Sequence, residues 1–231
     1  MTEGEAPAAS LREAWEAEAE AWMRFCGEPD AFAWKFNIPA FLELVPPAGR
    51  LTLDIGCGEG RVSRVLLERG HRVKGFDASP TLVAAARAGD PPIDAVTAGA
   101  AALPLEDDAA DIAVAFMALQ SIDDLEGAIA EAGRVLEPRG TLCAAVVHPM
   151  NSVEEAPQYF AEHAYADTVG SFTFHDVHRP LSQYTAALTS AGFVIEDLRE
   201  PIPGPELIAA RPAAERWTRT PCFLHFRART V

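Results

Sequence analysis

From residue 51 to residue 147 the chain alternates short apolar runs with amphipathic stretches. Residues 51–55, 72–76, 93–97, 111–116 and 141–147 predict five strands. Residues 60–69, 79–88 and 125–136 predict helices between them. The first carries Val62, Val65 and Leu66 on one side and stops at Gly70, and the second is capped by Ser79. Pro138-Arg139-Gly140 predicts the turn into the fifth strand. Strands that alternate with helices of about ten residues imply a parallel sheet with both faces covered.

The flanks read differently. Residues 10–25 predict an amphipathic helix with Trp15, Ala19, Trp22 and Met23 near one face. Ser10 caps it, with Glu13 completing a capping box, and Gly27, Pro29 and Asp30 break it. A second helix over 40–44 stops at Pro46-Pro47. From His148 to Pro180 the periodicity fails, and the stretch turns polar and aromatic, which predicts a cap inserted at about 149–180. Residues 181–191 predict a helix ended by Gly192, residues 193–198 and 223–229 two further strands, and the proline-rich segment 200–206 a loop. There is no internal repeat. The expected organisation is an N-terminal helical lid, 1–46, and a Rossmann-like domain, 47–231, that carries the cap.

Composition narrows the classes. Hydrophobic residues make up 49% and charged residues 23%, enough for a real core. No apolar run reaches the ~18 residues of a membrane helix, and the acidic, alanine-rich start lacks the features of a secretory signal. The expectation is a cytoplasmic protein with no membrane partner. The net charge is −15 and there are only two lysines, Lys35 and Lys74, so the basic footprint of a nucleic-acid binder is missing. Cys26, Cys57, Cys143 and Cys222 form no CxxC pair, and no histidine stands at zinc-finger spacing, so no metal is expected and reduced thiols are.

The chemistry concentrates in LDIGCGEG, which ends at Gly60. A strand closes at Asp54-Ile55, Gly56, Gly58 and Gly60 follow, and a helix begins at once. Such a turn lets backbone approach a ligand, with the helix N-terminus behind it offering unpaired N–H groups. Asp77 ends the next strand in GFDAS, where a carboxylate can accept both hydroxyls of a ribose. Dinucleotide-binding proteins use a similar turn, but their third glycine is replaced here by Arg61.

LDIGCGEGRVSRVLLERGHRVKGFDAS resembles the first two motifs of class I S-adenosylmethionine-dependent methyltransferases. AAALPLEDDAADIAVAFMAL resembles their third and fourth, and EAGRVLEPRGTL the helix, turn and strand that follow. The resemblance spans roughly residues 50–147. It implies an α/β, seven-stranded, mostly parallel doubly wound sheet of order 3-2-1-4-5-7-6, and S-adenosylmethionine as cofactor, leaving as S-adenosylhomocysteine. It also implies site roles. Gly56, Cys57 and Gly58 would lie against the methionine part. Asp54 would orient the loop or meet the cofactor's amino group. Asp77 would bind the ribose, with Ala78 flanking the adenine, and Ala101 and Leu103 would line the adenine pocket. Phe116, Met117 and Ala118 would sit beside the sulfonium. Two positions depart from the family. Residues 98–102 contain no acid for the adenine amino group, and Arg139 stands where Pro-Gly-Gly is usual.

The acceptor belongs beyond the C-terminal ends of the strands. His148 follows the fifth strand and is either a general base or a hinge before Pro149. His175, His178, Arg179 and Tyr184 lie in SFTFHDVHRPLSQY. Together with VHP this stretch resembles segments of a group of bacterial small-molecule methyltransferases. His178 is a base, a polar anchor or a capping residue. Arg179 binds a substrate carboxylate or pairs with Asp176 or Glu200, and Tyr184 is equally a core residue. Trp22, Trp34 and Phe36 could lid an aromatic acceptor pocket, at least one tryptophan serving only as packing. The expected function is methyl transfer to N, O or C of a small, planar or heteroaromatic acceptor, by a monomer or homodimer. A composition rich in Ala, Pro and Arg suggests secondary metabolism. Two alternatives stand beside it: an NAD-dependent oxidoreductase, and a methyltransferase-like protein that binds the cofactor without turnover.

Overall fold

The computed structural model describes residues 10–27, 33–152, 158–170 and 172–231. Its centre is a seven-stranded sheet. β1 (Thr52–Ile55), β2 (Val73–Asp77), β3 (Asp94–Thr97), β4 (Ala110–Phe116) and β5 (Leu136–Val147) run parallel, and β8 (Phe193–Arg199) and β9 (Phe223–Thr230) complete it. The order is β3-β2-β1-β4-β5-β9-β8, with β9 antiparallel to both its neighbours. Leaving out a separate hairpin of β6 (His163–Val169) and β7 (Phe172–His178), this is the 3-2-1-4-5-7-6 order the motifs imply.

The apolar runs lack polar alternation because both faces are buried. Along β4, Ala113 and Ala115 join one core with Leu125, Ile129, Tyr184, Leu188 and Phe226. Ile112 and Val114, alternating with them, join the other core with Ile38, Phe41, Leu42, Val62 and Leu66. The helices α5 (Leu125–Val135) and α7 (Leu181–Ser190) therefore cover the first face, and α2 (Ile38–Leu42) and α3 (Arg61–Glu68) the second. α4 (Pro80–Ala88) starts where Ser79 accepts a hydrogen bond from the Leu82 N–H at 3.1 Å, with Pro80 at its first turn.

Three details differ from the sequence reading. β5 takes in the Pro138–Gly140 turn, kinking so that its pairing with β4 jumps from Ala110–Leu136 to Ile112–Thr141. Arg139 there adopts φ 68°, the left-handed region. The segment expected as a loop over 200–206 already enters α8 (Pro205–Ala210), because proline at the first turn lacks only an N–H that the helix would leave unpaired. The cap contains the β6–β7 hairpin and a short α6 (Pro149–Ser152).

α1 (Leu11–Gly27) forms the predicted capping box: the Ser10 N–H donates to Glu13, and the Glu13 N–H to Ser10 Oγ. Its aromatic stripe docks on the hairpin. Trp15 donates its indole N–H to the His175 carbonyl at 2.9 Å, and Trp22 and Phe25 pack on Phe172 and Phe174. Glu16 on the same helix accepts from the Ser79 and Thr81 hydroxyls at the start of α4. Its burial opposes ionisation, but those hydrogen bonds outweigh it and hold the carboxyl below its usual range. α1 thus bridges the hairpin and the C-terminal end of β2.

Candidate functional site

Between the C-terminal ends of the strands, α1 and the hairpin lies a cavity of about 910 Å³. Its first wall is the glycine loop after β1. Gly56 and Gly58 adopt φ 73° and 55°, and a Cβ at Gly56 would come within 2.4 Å of Ala118 Cβ. The loop is tied to β2: Gly56 and Cys57 donate backbone N–H groups to the Phe76 carbonyl, and Gly58 donates to Asp77 Oδ2 at 2.8 Å. Ser79 donates its N–H to the other Asp77 oxygen at 2.9 Å. Each oxygen keeps a lone pair for a ligand hydroxyl. The Cys57 side chain turns away into a small core with Val83, Ala86, Ile93 and Ala95, and burial pushes its thiol up.

Asp54, Glu59 and Asp77 all line this cavity. Asp54 is fully buried. Burial raises its carboxyl to about 7, a hydrogen bond of 2.5 Å from Ser63 Oγ opposes the rise, and nearby Asp77 and Glu59 add to it. Burial also raises Asp77. Arg61 pairs with Glu59 at 3.4 Å, but Asp54 and Asp77 have no cationic partner among the described residues, which leaves the glycine cradle short of positive charge. An S-adenosyl ligand, with an ammonium and, before transfer, a sulfonium, supplies it. The residues therefore fit that group.

Most of the expected cofactor residues line the cavity: Asp54, Gly56, Gly58, Asp77, Ala78, Phe116, Met117 and Ala118, with Cys57 among them although its side chain packs into the small core. Ala101 and Leu103 do not. The turn after β3 exposes Ala101 to solvent and buries Leu103 in the core, its N–H donating to Glu131, so Ala98 and Ala100 take that wall instead.

The expected acceptor residues fare worse. His178 is buried, with Nδ1 2.7 Å from Ser152 Oγ and Nε2 2.8 Å from the Tyr159 carbonyl, so both ring nitrogens are taken. His148 accepts the Met150 N–H on Nδ1 and reaches Glu200 through Nε2, and burial lowers its pKa. Of its two readings the geometry favours the hinge. His175 lies on the face of β7 opposite Phe174 and Asp176, because strand side chains alternate. Tyr184 is core, and Phe36 packs on Phe223 in a cluster with Leu207 and Trp217. Arg179 is 2% exposed and meets neither Asp176 nor Glu200 by hydrogen bond. Its guanidinium donates to the carbonyls of Leu119, Ile122 and Asp123, with Glu162 at 3.6 Å. It fixes the turn after β4 instead of binding a ligand. Trp22 does line the cavity, while the Trp34 side chain lies outside the described residues.

The residues that line this half instead are Gln120 and Ser121 after β4, Tyr165 and Asp167 of β6, Phe174 and Asp176 of β7, and Arg211, Arg216 and Trp217 between β8 and β9. The available signal was period-two alternation: Tyr165, Asp167 and Val169 on one strand, Phe174 and Asp176 on its partner. Among the described residues no histidine, cysteine and carboxylate cluster could hold a metal ion, and no helix is long and apolar enough to cross a membrane.

A sheet of this order, with a glycine loop leaving β1 and an acid closing β2, is that of the class I S-adenosylmethionine-dependent methyltransferases. The antiparallel β9 between β5 and β8 separates it from the dinucleotide fold, whose strand order is 3-2-1-4-5-6, and removes the oxidoreductase reading. In sequence and in fold the chain is similar to S-adenosylmethionine-dependent methyltransferases. Residues 53–144 match the family described as "Methyltransferase domain". A "probable S-adenosylmethionine-dependent methyltransferase" of Mycolicibacterium smegmatis is 32% identical over 150 residues, covering 65% of this chain and 54% of that one. The chain spans about half the length of the curated relatives it matches. An S-adenosylmethionine-dependent methyltransferase structure from Mesorhizobium loti superposes with TM-score 0.71 at 28% identity, covering 83% of this chain and 96% of that one. The 1,6-didemethyltoxoflavin-N1-methyltransferase of Burkholderia thailandensis, solved with 1,6-didemethyltoxoflavin and S-adenosylhomocysteine, shares the fold with TM-score 0.62 at 21% identity, covering 98% and 93%.

Proposed function

We propose that this chain transfers a methyl group from S-adenosylmethionine to a small molecule held in the half of the cavity under the hairpin and the segment 211–223. The observation that carries this is the Gly58–Asp77 hydrogen bond at the edge of a cavity with room for two ligands. Asp77 would bind the ribose hydroxyls. Asp54 would face the ammonium, and Phe76, Ala78, Leu82, Ala98 and Ala100 would enclose the adenine by packing. When bound, the cofactor supplies an electrophilic methyl on a cationic sulfur. The chain's own work is to hold the acceptor in line and keep water out, which supplies most of the acceleration in such displacements.

The lid reading of 1–46 and the cap reading of 149–180 are supported by α1, whose Trp15, Trp22 and Phe25 join the hairpin over the cavity. Phe116, Phe174, Trp217 and Phe223 favour a planar, apolar acceptor, in keeping with a heteroaromatic natural product. Calorimetry with S-adenosylhomocysteine tests the cofactor half. Asp77→Ala should weaken binding by at least about tenfold, since charge-assisted hydrogen bonds are lost. An unchanged Kd would overturn the ribose assignment.

A further inference from the structure

The acceptor half of the cavity contains a group of hydrogen-bond acceptors apart from the glycine loop and Asp77. Strand register sets Tyr165 opposite Asp176, and both line the cavity. Asp176 is 3% exposed. It accepts from Ser121 Oγ at 2.5 Å and from the Tyr165 hydroxyl. Burial raises its carboxyl to about 6, with Ser121 and Tyr165 opposing the rise, Asp167 of β6 adding to it and Arg179 lowering it. Tyr184 of α7 is a further titratable neighbour, raised by burial and in part by the Asp176 charge. α1 packs farther along β7, where Glu18 meets the Thr173 N–H.

Gln120 precedes Ser121 in the same turn and is 4% exposed. Its Nε2 donates to the Met117 carbonyl at 2.9 Å, which fixes the sense of the amide. Its Oε1 is buried at the cavity wall with no hydrogen-bond partner among the described residues. A buried carbonyl oxygen of this kind is satisfied by an ordered water or by a ligand that brings a donor, and a ligand seated against this turn would supply one. At this position a carboxylate group would meet Asp176 as a like charge, Arg211 and Arg216 lining the cavity on the segment between β8 and β9, and a carbon nucleophile would leave Gln120 unpaired.

We propose that Gln120 and Asp176 form the acceptor subsite for a planar, apolar molecule bearing an N–H or O–H at the atom to be methylated, with Asp176 receiving its proton. This rests on the methyl-transfer reading above. The N–H or O–H electron pair stays on the acceptor atom as the proton passes to an Asp176 oxygen. That atom bonds to the methyl carbon, and the carbon–sulfur pair returns to sulfur. One cation and one carboxylate become a neutral thioether and a neutral acid.

A matched pair of fluorescent probes, 2-naphthol and 2-methoxynaphthalene, tests it by titration into protein saturated with S-adenosylhomocysteine. The naphthol should bind roughly tenfold more tightly than its ether, because only the naphthol satisfies the buried acceptors. Gln120→Leu should reduce that ratio severalfold. In the wild type, naphthol affinity should rise as pH passes upward through about 6, and Asp176→Asn should flatten the rise while leaving S-adenosylhomocysteine affinity unchanged. Equal affinity of the two probes for the wild type, or binding of neither, would overturn the subsite whether or not a variant folds. Failure of S-adenosylhomocysteine to bind the wild type would instead overturn the parent reading.

Discussion

Trp22 of α1 donates its indole N–H to the carboxylate of Glu59, 2.9 Å away in the glycine loop. The Arg61 guanidinium lies over the Trp22 ring at 5.5 Å and 3.4 Å from the other Glu59 oxygen. A side chain read from sequence as a lid thus fastens the N-terminal helix directly to the loop that cradles the cofactor. Trp22→Phe keeps aromatic contact with Phe172 and removes the bond. We expect S-adenosylhomocysteine to dissociate severalfold faster, in line with the loss of roughly 1 kcal/mol of hydrogen bonding, with the association rate little changed. Stopped-flow fluorescence measures both rates, and an unchanged off-rate would detach α1 from cofactor retention.

Asp54 predicts a pH dependence of cofactor binding. Its carboxyl is raised to about 7 by burial, and a cationic ligand favours the ionised form. Affinity for S-adenosylhomocysteine should therefore climb as pH rises from about 5.5 to 7, by up to about tenfold per unit, and level off above. The stability of the free protein should move the other way. With the folded value above the unfolded one, the folded state binds more protons, so the contribution is full below about 4 and is lost as pH rises to about 7. Asp54→Asn should flatten both curves, as read by calorimetry and by denaturation across that range.

Arg179 is expected to behave as a structural clamp. Arg179→Ala leaves the carbonyls of Leu119, Ile122 and Asp123 without their donor beneath the turn that carries Gln120 and Ser121. A loss of about 2–4 kcal/mol in urea denaturation is expected, because several buried acceptors lose partners together. Arg179→Lys should recover only part of it, since an ammonium cannot span three carbonyls as a planar fork does. Wild-type stability in the alanine variant would argue for a ligand role after all.

Arg139 offers the opposite sign. It sits exposed at φ 68°, where glycine suffers no Cβ clash. The left-handed conformation costs an ordinary residue about 1–2 kcal/mol, partly offset by glycine's larger unfolded-state entropy. Arg139→Gly should stabilise the fold by up to about 1 kcal/mol, measurable as a higher urea midpoint at unchanged slope.

The sheet, its flanking helices and the cofactor loop were legible along the chain because each rests on local chemistry. Leu53 and Ile55 are apolar where β1 is buried on both faces, Gly56 and Gly58 stand where φ is positive, and Ser79 and Ser10 cap the helices they precede. Asp77 was readable because its spacing from the loop is set by one helix and one strand.

The acceptor half was not legible, for a physical reason. His148, His178 and Arg179 have the chemistry of catalytic or binding residues, but their partners, Glu200, Tyr159, Leu119 and Ile122, come from distant segments that only folding brings close. The hairpin's alternation sends Asp176 to the cavity and His175 away from it, and that register depends on the pairing of β6 with β7. The sequence by itself determined the strands, the helices and the cofactor loop, since backbone dihedrals and burial periodicity are properties of a few consecutive residues, while the order of the strands was an implication of the resemblance to a known family. Tertiary structure alone decided which polar groups are satisfied within the protein and which, like the buried Gln120 carbonyl oxygen in the cavity wall, have no partner among the described residues, since hydrogen-bond partners are assigned by packing in space.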